Sequence, residues 1–348
     1  MTLCQLAHII DCMKRSKGQH YLLSARARTL SLIEIARLSD DEAYDLFKQS
    51  RWSETEGNPV CPCCAHDDHY SIKTRKQWRC KSCNHTFSVT SGTIFANHKM
   101  PLQNYLLAIA LFSNCAKGMS ALQLSRDLNV QYKTAWVLAH KLRESLVDNH
   151  DDKLSGEVEM DGAYVNKHVR PANRIQDRVD RRLAKNQNPN KRTVMVLRER
   201  GEKGKGAKFT RVFVTKSENQ ADTMKLALAN IERDATIYAD EHTSYDILHS
   251  KLLTRRVVHA KHYVGPNGEN TNQAESFFSR FRRMQYGQTH KMDNLYMDRY
   301  ANEAAYREDT RRKPNGDIFR DIMGRCATSA PSRDFAGYWQ GNKRFSAI

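Results

Sequence analysis

The sequence predicts an α/β protein, with a sheet domain flanked by helices standing after a small cysteine-rich unit and a helical region. Three observations carry this. From about residue 157 onward, apolar runs of strand length are separated by turn residues and one helical segment, the pattern of an α/β or α+β domain. Residues 60–95 hold paired cysteines and have no room for a conventional core. Residues 101–146 carry apolar side chains at helical spacing.

Taken in order, "LSLIEIARLSDDEAYDLFKQSRW" (30–52) alternates apolar and charged residues as helices do, with Ser39 the N-cap of a second helix, and "EGNPV" ends it. "PLQNYLLAIALFSNCAKG" is a helix opened by Pro101 and closed by Gly118. "SALQLSRDLNVQYKTAWVLAHKLRESL" reads as two helices joined by a short turn. Leu122, Leu124 and Leu128 form the apolar face of the first; Ala135, Val137, Leu138 and Leu142 form that of the second. Tyr132, Lys133 and Thr134 open the second helix, where a recognition helix presents residues to the DNA major groove. The strands follow as "EVEMDGAYV", "RTVMVLRER" and "KFTRVFVT", then a helix "NQADTMKLALANIE", then "ATIYAD" and "RRVVHA". The resulting divisions are 1–57 (N-terminal helical region), 58–98 (ribbon), 99–150 (helix-turn-helix), 155–325 (sheet domain) and 326–348 (tail).

A formal charge of +17 points to a polyanionic partner, nucleic acid ahead of membrane. No apolar run of 18 residues occurs, so no transmembrane helix is expected. The N-terminus does not read as a signal peptide. Nine cysteines, an odd number, without a secretion signal indicate a reducing cytoplasmic setting rather than a disulfide framework. Residues 166–192 hold nine Lys/Arg against two Asp and lack an apolar stripe. That composition suits an electrostatic grip on phosphates, with Arg178, Arg181 and Arg182 at its centre.

Cys61-x2-Cys64, fifteen residues, then Cys80-x2-Cys83 is the spacing of a four-thiolate zinc site. Each pair lets two thiolates from one tight turn reach one tetrahedral ion, and four sulfurs leave no position for water, so the zinc is structural. Cys63 could replace Cys64 in another register, and His66, His69 and His85 stand nearby.

Asp161 follows "EVEM" and Asp240 follows "TIYA", each read as the end of a strand. Neighbouring strands could bring both carboxylates to one edge of the sheet, where they would repel unless a divalent cation lay between them. Oxygen ligands select Mg²⁺ or Mn²⁺, and such ions serve phosphodiester transfer. A third carboxylate, Glu275, comes from the helix in "NTNQAESFFSRFRRM", where Phe277, Phe278 and Phe281 face the core and Ser279 and Arg282 share the polar face with Glu275. The same glutamate also fits a capping box with Asn272. Glu241, Asp246 and Glu269 are rival carboxylates, and His259 and His262 are candidate core or phosphate contacts.

The ribbon, the helix-turn-helix, "VEMDGAYV", "IYADE" and "NTNQAESFFSRFRRM" followed by "NEAAYREDTRR" resemble, in that order, the zinc-ribbon DDE insertion-sequence transposases of the IS1595 type over about residues 30–325. The resemblance implies an RNase H-like mixed sheet of five strands. It also implies that Asp161, Asp240 and Glu275 are a catalytic triad binding Mg²⁺ or Mn²⁺. The expected activity is metal-dependent cleavage and strand transfer of an insertion sequence. Its partners would be terminal inverted repeats, target DNA and further copies of the chain in a synaptic complex at the nucleoid, with no membrane. The competing readings are a DNA-binding regulator whose sheet domain is only a scaffold, and a domesticated nuclease.

Overall fold

A computed structural model describes residues 21–147, 152–166, 169–202, 206–257, 265 and 268–335. The expectations for residues 1–20, for His259 and His262 and for the last residues of the tail lie outside that range.

The N-terminal part begins with α1 (Leu32–Arg37) and α2 (Asp40–Arg51). Ser39 caps α2 as expected, through a box in which Ser39 Oγ accepts from Glu42 N at 3.3 Å and Glu42 Oε2 accepts from Ser39 N at 2.8 Å. The ribbon follows as an antiparallel sheet of β1 (His69–Ile72), β2 (Gln77–Cys80) and β3 (Thr86–Ser88). Its small core is aromatic: Trp78 meets Trp52 from the end of α2 edge-on at 5.3 Å and Phe87 at 5.7 Å. Next come α3 (Leu102–Asn114), α4 (Ala121–Asp127) and α5 (Tyr132–Ser145). Leu124 and Leu128, one turn apart, are the buried face of α4, whereas Leu122 is 50 % exposed, a correction to the apolar face read from the sequence. Two residues apart on a helix point in different directions, so Leu122 and Leu124 could not both face the core.

The later domain is a five-stranded sheet of β4 (Glu157–Val165), β5 (Arg192–Arg200), β6 (Ala207–Thr215), β7 (Thr236–Ala239) and β8 (Leu253–Arg256), in the order β6-β5-β4-β7-β8. β4, β5 and β6 are antiparallel, and β4, β7 and β8 are parallel. Both faces are covered. Val194 and Val196 of β5 point into one apolar cluster with Phe277 and Phe281, from α7 (Asn272–Met284), and with residues of α8 (Met297–Thr310). Met195 and Leu197 point into the other, with Ala227 from α6 (Gln220–Asn230) and Leu248 from the 3-10 helix Thr243–Ser250. This two-sided burial explains why β5 reads as a nearly continuous apolar run. The last strand is shorter than "RRVVHA" suggests: β8 ends at Arg256, and residues 258–264 lie outside the described range.

α9 (Asn315–Thr328) packs Phe319, Ile322 and Met323 into the same core as Phe47 of α2, Leu106 of α3 and Leu138 of α5. A second tie is polar. Arg143 of α5 donates from Nε to Glu303 Oε2 of α8 at 2.6 Å, and Arg307 donates to Glu303 Oε1 at 2.9 Å. Burial alone would raise the Glu303 carboxyl; the two guanidiniums overcome that and hold it below its ordinary value.

Candidate active site

Met160 on β4 pairs with Ala239 on β7, the last residue of that strand, so Asp161 and Asp240 follow a matched pair on parallel strands. Asp240 leaves the sheet there. Asp161 does not: β4 continues to Val165 in antiparallel pairing with β5, where Asp161 stands opposite Val196. The sequence placed Asp161 at a strand end, and the correction has a simple cause. β4 has two partners, and only the parallel one stops at this level.

Both carboxylates are partly buried and locally held. Asp161 Oδ1 accepts from Gly162 N at 2.7 Å, and Asp240 Oδ1 accepts from His242 N at 2.9 Å. Burial pushes the Asp161 carboxyl up to about 7; repulsion from Asp240, Glu218 and Glu275 adds to this, against the lowering effect of the Gly162 N–H. Carboxylates from β4, β7 and α7 therefore meet in one electrostatic neighbourhood.

Glu218 is a fourth member that sequence reasoning missed. It lies in the turn between β6 and α6, its side chain 5 % exposed, and accepts a hydrogen bond from Tyr245 Oη at 2.7 Å. Burial first, then Glu218, Asp161 and Asp240, hold the Tyr245 hydroxyl well above its ordinary pKa. Glu218 reaches the β4 backbone just past Asp161: a Cβ on Gly162 would stand 2.7 Å from Glu218 Oε1 and would displace that side chain.

Glu275 is exposed on α7 together with Ser279 and Arg282, while Ala274, Phe277, Phe278, Phe281 and Met284 are buried. The expected capping box does not form. Asn272 is the first residue of the helix, Thr271 is the N-cap, and no side-chain cap bond is made there. The cap comes instead from β4: Glu159 Oε2 accepts from Gln273 N at 2.8 Å and Ala274 N at 3.0 Å. Glu159 is fully buried, and its other oxygen takes Arg200 Nε at 2.8 Å. Among the rival carboxylates, Asp246 is bound by Arg256, which also reaches the Asp240 carbonyl, and Glu241 is exposed.

The ribbon thiolates also converge. Cys61, Cys64, Cys80 and Cys83 have their Sγ atoms within 4.8 Å of one another, and Cys63 stands exposed outside the cluster, which settles the register. The two knuckles are copies of one turn. Ala65 N bonds Cys61 O and Asn84 N bonds Cys80 O, both at left-handed φ near 57°. Four thiolates in this arrangement fit a structural zinc ion.

The expected nucleic-acid contacts come from two segments, the start of α5 and the basic stretch. Tyr132 and Lys133 are exposed at the start of α5, with Thr134 half-buried behind them. Arg178, Arg181 and Arg182 are exposed in the basic stretch, where Arg182 pairs with Asp180 at 3.0 Å. Among the described residues no helix is long and apolar enough to cross a membrane.

The chain joins a four-thiolate ribbon to a five-stranded mixed sheet with carboxylates where its parallel strand β7 ends, an arrangement similar to that of RNase H-like DDE proteins with a zinc ribbon. Comparison with known families agrees. The "ISXO2-like transposase domain" matches residues 153–309, and the "Transposase zinc-ribbon domain" matches residues 38–86, both of the IS1595 type. The chain is also 28 % identical over 301 residues to an "Uncharacterized protein in transposable element ISH50" of Halobacterium salinarum, covering 82 % of this chain and 96 % of that one. Residues 38–86 and 153–309 therefore carry the zinc-ribbon and DDE domains of an IS1595-type insertion-sequence transposase.

Proposed function

We propose that the chain binds the terminal inverted repeats of its own element and catalyses metal-dependent DNA cleavage and strand transfer. Asp161, Asp240 and Glu275 are the catalytic carboxylates of this reading. The observation that carries it is a partly buried Asp161 beside the end of β7, near enough to Asp240, Glu218 and Glu275 for their charges to raise its carboxyl, although among the described residues only the cysteines gather tightly enough to hold an ion as they stand. A sheet domain kept only as a regulator's scaffold has no use for such a set, because the repulsion destabilises the fold without gain.

The donor set suits a hard divalent cation: oxygen ligands only, with mutual repulsion that a cation relieves. Mg²⁺ or Mn²⁺ held by Asp161, Asp240 and Glu275 would activate the attacking oxygen and stabilise the leaving one. The chain's own residues supply the frame. Gly162 N–H and His242 N–H orient the two aspartates, Glu159 fixes the start of α7, and Tyr245 holds Glu218 against the β4 backbone. Water and then a DNA 3′-hydroxyl attack phosphorus in line, so no covalent link between protein and DNA is needed. The ribbon and the α4–α5 pair carry end recognition, and the basic stretch 169–192 grips phosphates.

The test is incubation of purified protein with a duplex of the element's own terminal repeat, a target plasmid and Mg²⁺. Joined end-plasmid product supports the reading. Cleavage without joining moves the assignment to a nuclease, and tight end binding with neither reaction moves it to a regulator.

A further inference from the structure

Beside the carboxylates a cavity of about 890 Å³ opens between the end of β4, the residues just before β5, and the C-terminal part of α7 with the segment after it. It shares both of its main walls with the catalytic residues. Asp161 and Val165 are four residues apart on β4, about 13 Å. Glu275 and Arg282 are two turns apart on α7, about 10 Å.

Its surface has three kinds of chemistry. The floor is apolar, made by the buried Phe278 and Phe281. One wall is a fixed array of amides: Asn166, at φ 57°, donates to Met292 O at 2.9 Å and Asn294 Oδ1 at 3.1 Å, and its carbonyl accepts from Asn188 Nδ2 at 2.7 Å. The rim carries Arg282, exposed, and Tyr286, a ring left 70 % exposed next to that apolar floor. Tyr286 stands there because α7 does not end in a normal turn but runs into a π-helical segment, Gln285–Thr289, closed by His290 at φ 53°. Such π segments and left-handed non-glycine residues concentrate at functional sites.

A phosphate needs cations and N–H donors, and the rim alone would supply them. An exposed aromatic ring over an apolar floor is what a nucleobase out of its stack requires, and the amide wall, its Asn166 donors already engaged, fixes the shape of the cleft rather than reading the base. We propose that this cavity receives an unstacked nucleotide of the strand whose phosphodiester lies at Asp161 and Asp240, with its base against Tyr286, its edge toward the Asn166 wall and its phosphate near Arg282. The distances place it about three to four nucleotides from the scissile position, at the 3.4 Å rise per residue of one strand. This inference rests on the transposase reading.

The probe is a terminal-repeat duplex with 2-aminopurine placed singly at each position within about four nucleotides of the cleavage site, bound to the full chain in Ca²⁺. Emission should rise on binding at one position, the rise should be lost in Tyr286→Ala and kept in Tyr286→Phe. In Mg²⁺, Tyr286→Ala should cleave paired ends roughly 5- to 100-fold more slowly at saturating DNA, the range expected from losing one base–aromatic stack. Mismatching the unstacked position should recover part of that loss, whereas a purely structural defect would slow both substrates alike. Parental protein that cleaves ends with no rise at any position, or Tyr286→Ala with parental emission and rate, overturns the inference and leaves the transposase reading standing. Parental protein that neither binds nor cleaves the duplex removes both.

Discussion

Glu159 Oε2 accepts the backbone N–H of Ala274 at 3.0 Å, and that of Gln273 at 2.8 Å, so the strand that carries Asp161 also caps the helix that carries Glu275. A carboxylate at a helix N-terminus satisfies donors that would otherwise have no intrahelical partner, and favours the helix dipole. Arg200 neutralises the other oxygen and donates to the Asn270 carbonyl, one residue before the cap. The elements that carry Asp161 and Glu275, distant in sequence, are thereby tied to one another.

Glu159→Gln keeps an acceptor but loses the charge opposite Arg200. It should cost about 1–3 kcal/mol of stability and lower the rate of cleavage, with DNA affinity near parental. Thermal unfolding and cleavage at saturating DNA check this. A parental rate in a clearly destabilised variant would separate Glu159 from catalysis.

The Asp161 environment sets a pH dependence. Its carboxyl rises from 3.8 to about 7 on folding. The folded state therefore prefers the protonated form. This stabilising contribution is fully present below about pH 4 and is lost as pH rises through about 7. In chelator at pH 8, Asp161→Asn should be more stable than the parent by on the order of 1–4 kcal/mol, several degrees in melting temperature. The gap should close at pH 4. A variant no more stable than the parent at pH 8 would mean that the clustered carboxylates carry no strain.

Much of this was legible in the sequence because the signals are local. Cysteine spacing defined the ribbon, apolar runs of strand length defined β4 to β7, and the aspartates after two such runs pointed to neighbouring positions on β4 and beyond β7. What was not legible depends on tertiary neighbours. Glu159 lies on β4, where an acid reads as a solvent-facing residue, yet it is fully buried against Arg200 and α7. Glu218 sits in a turn with no periodicity to mark it. The Asn272 capping box is a valid local pattern that lost to a cap supplied from across the sheet. α9 carries no sign in its own sequence that its core partners are α2, α3 and α5.

Zinc removal gives a separate test of the ribbon. Purified protein should hold about one tightly bound zinc per chain, and Cys80→Ser should release it and loosen residues 60–95, read by metal analysis and limited proteolysis. Cys63→Ser should keep the metal, because Cys63 lies outside the cluster. Unchanged zinc in Cys80→Ser would remove Cys80 from the ligand set.

The basic stretch should act through charge alone. Replacing Arg178, Arg181 and Arg182 with Ala should weaken DNA binding and flatten its salt dependence by up to about three phosphate contacts, less if the Asp180 pair keeps Arg182 from DNA, without changing sequence preference. Binding isotherms at several salt concentrations read the slope directly. A slope equal to the parent's would place the stretch away from phosphates.

The central claim is that carboxylates from β4, β7 and α7 act together on DNA. The most direct measurement is strand transfer of terminal-repeat duplex into a plasmid in Mg²⁺ by Asp161→Asn, Asp240→Asn and Glu275→Gln, each with its end-binding affinity measured in parallel. These changes remove one negative charge each while preserving side-chain shape, and Glu275 makes no capping box that the substitution could disturb. The account requires end binding near parental in all three and no joined product from any of them. Parental strand transfer by any one variant would contradict it at that residue, and parental transfer by Asp161→Asn would contradict it altogether.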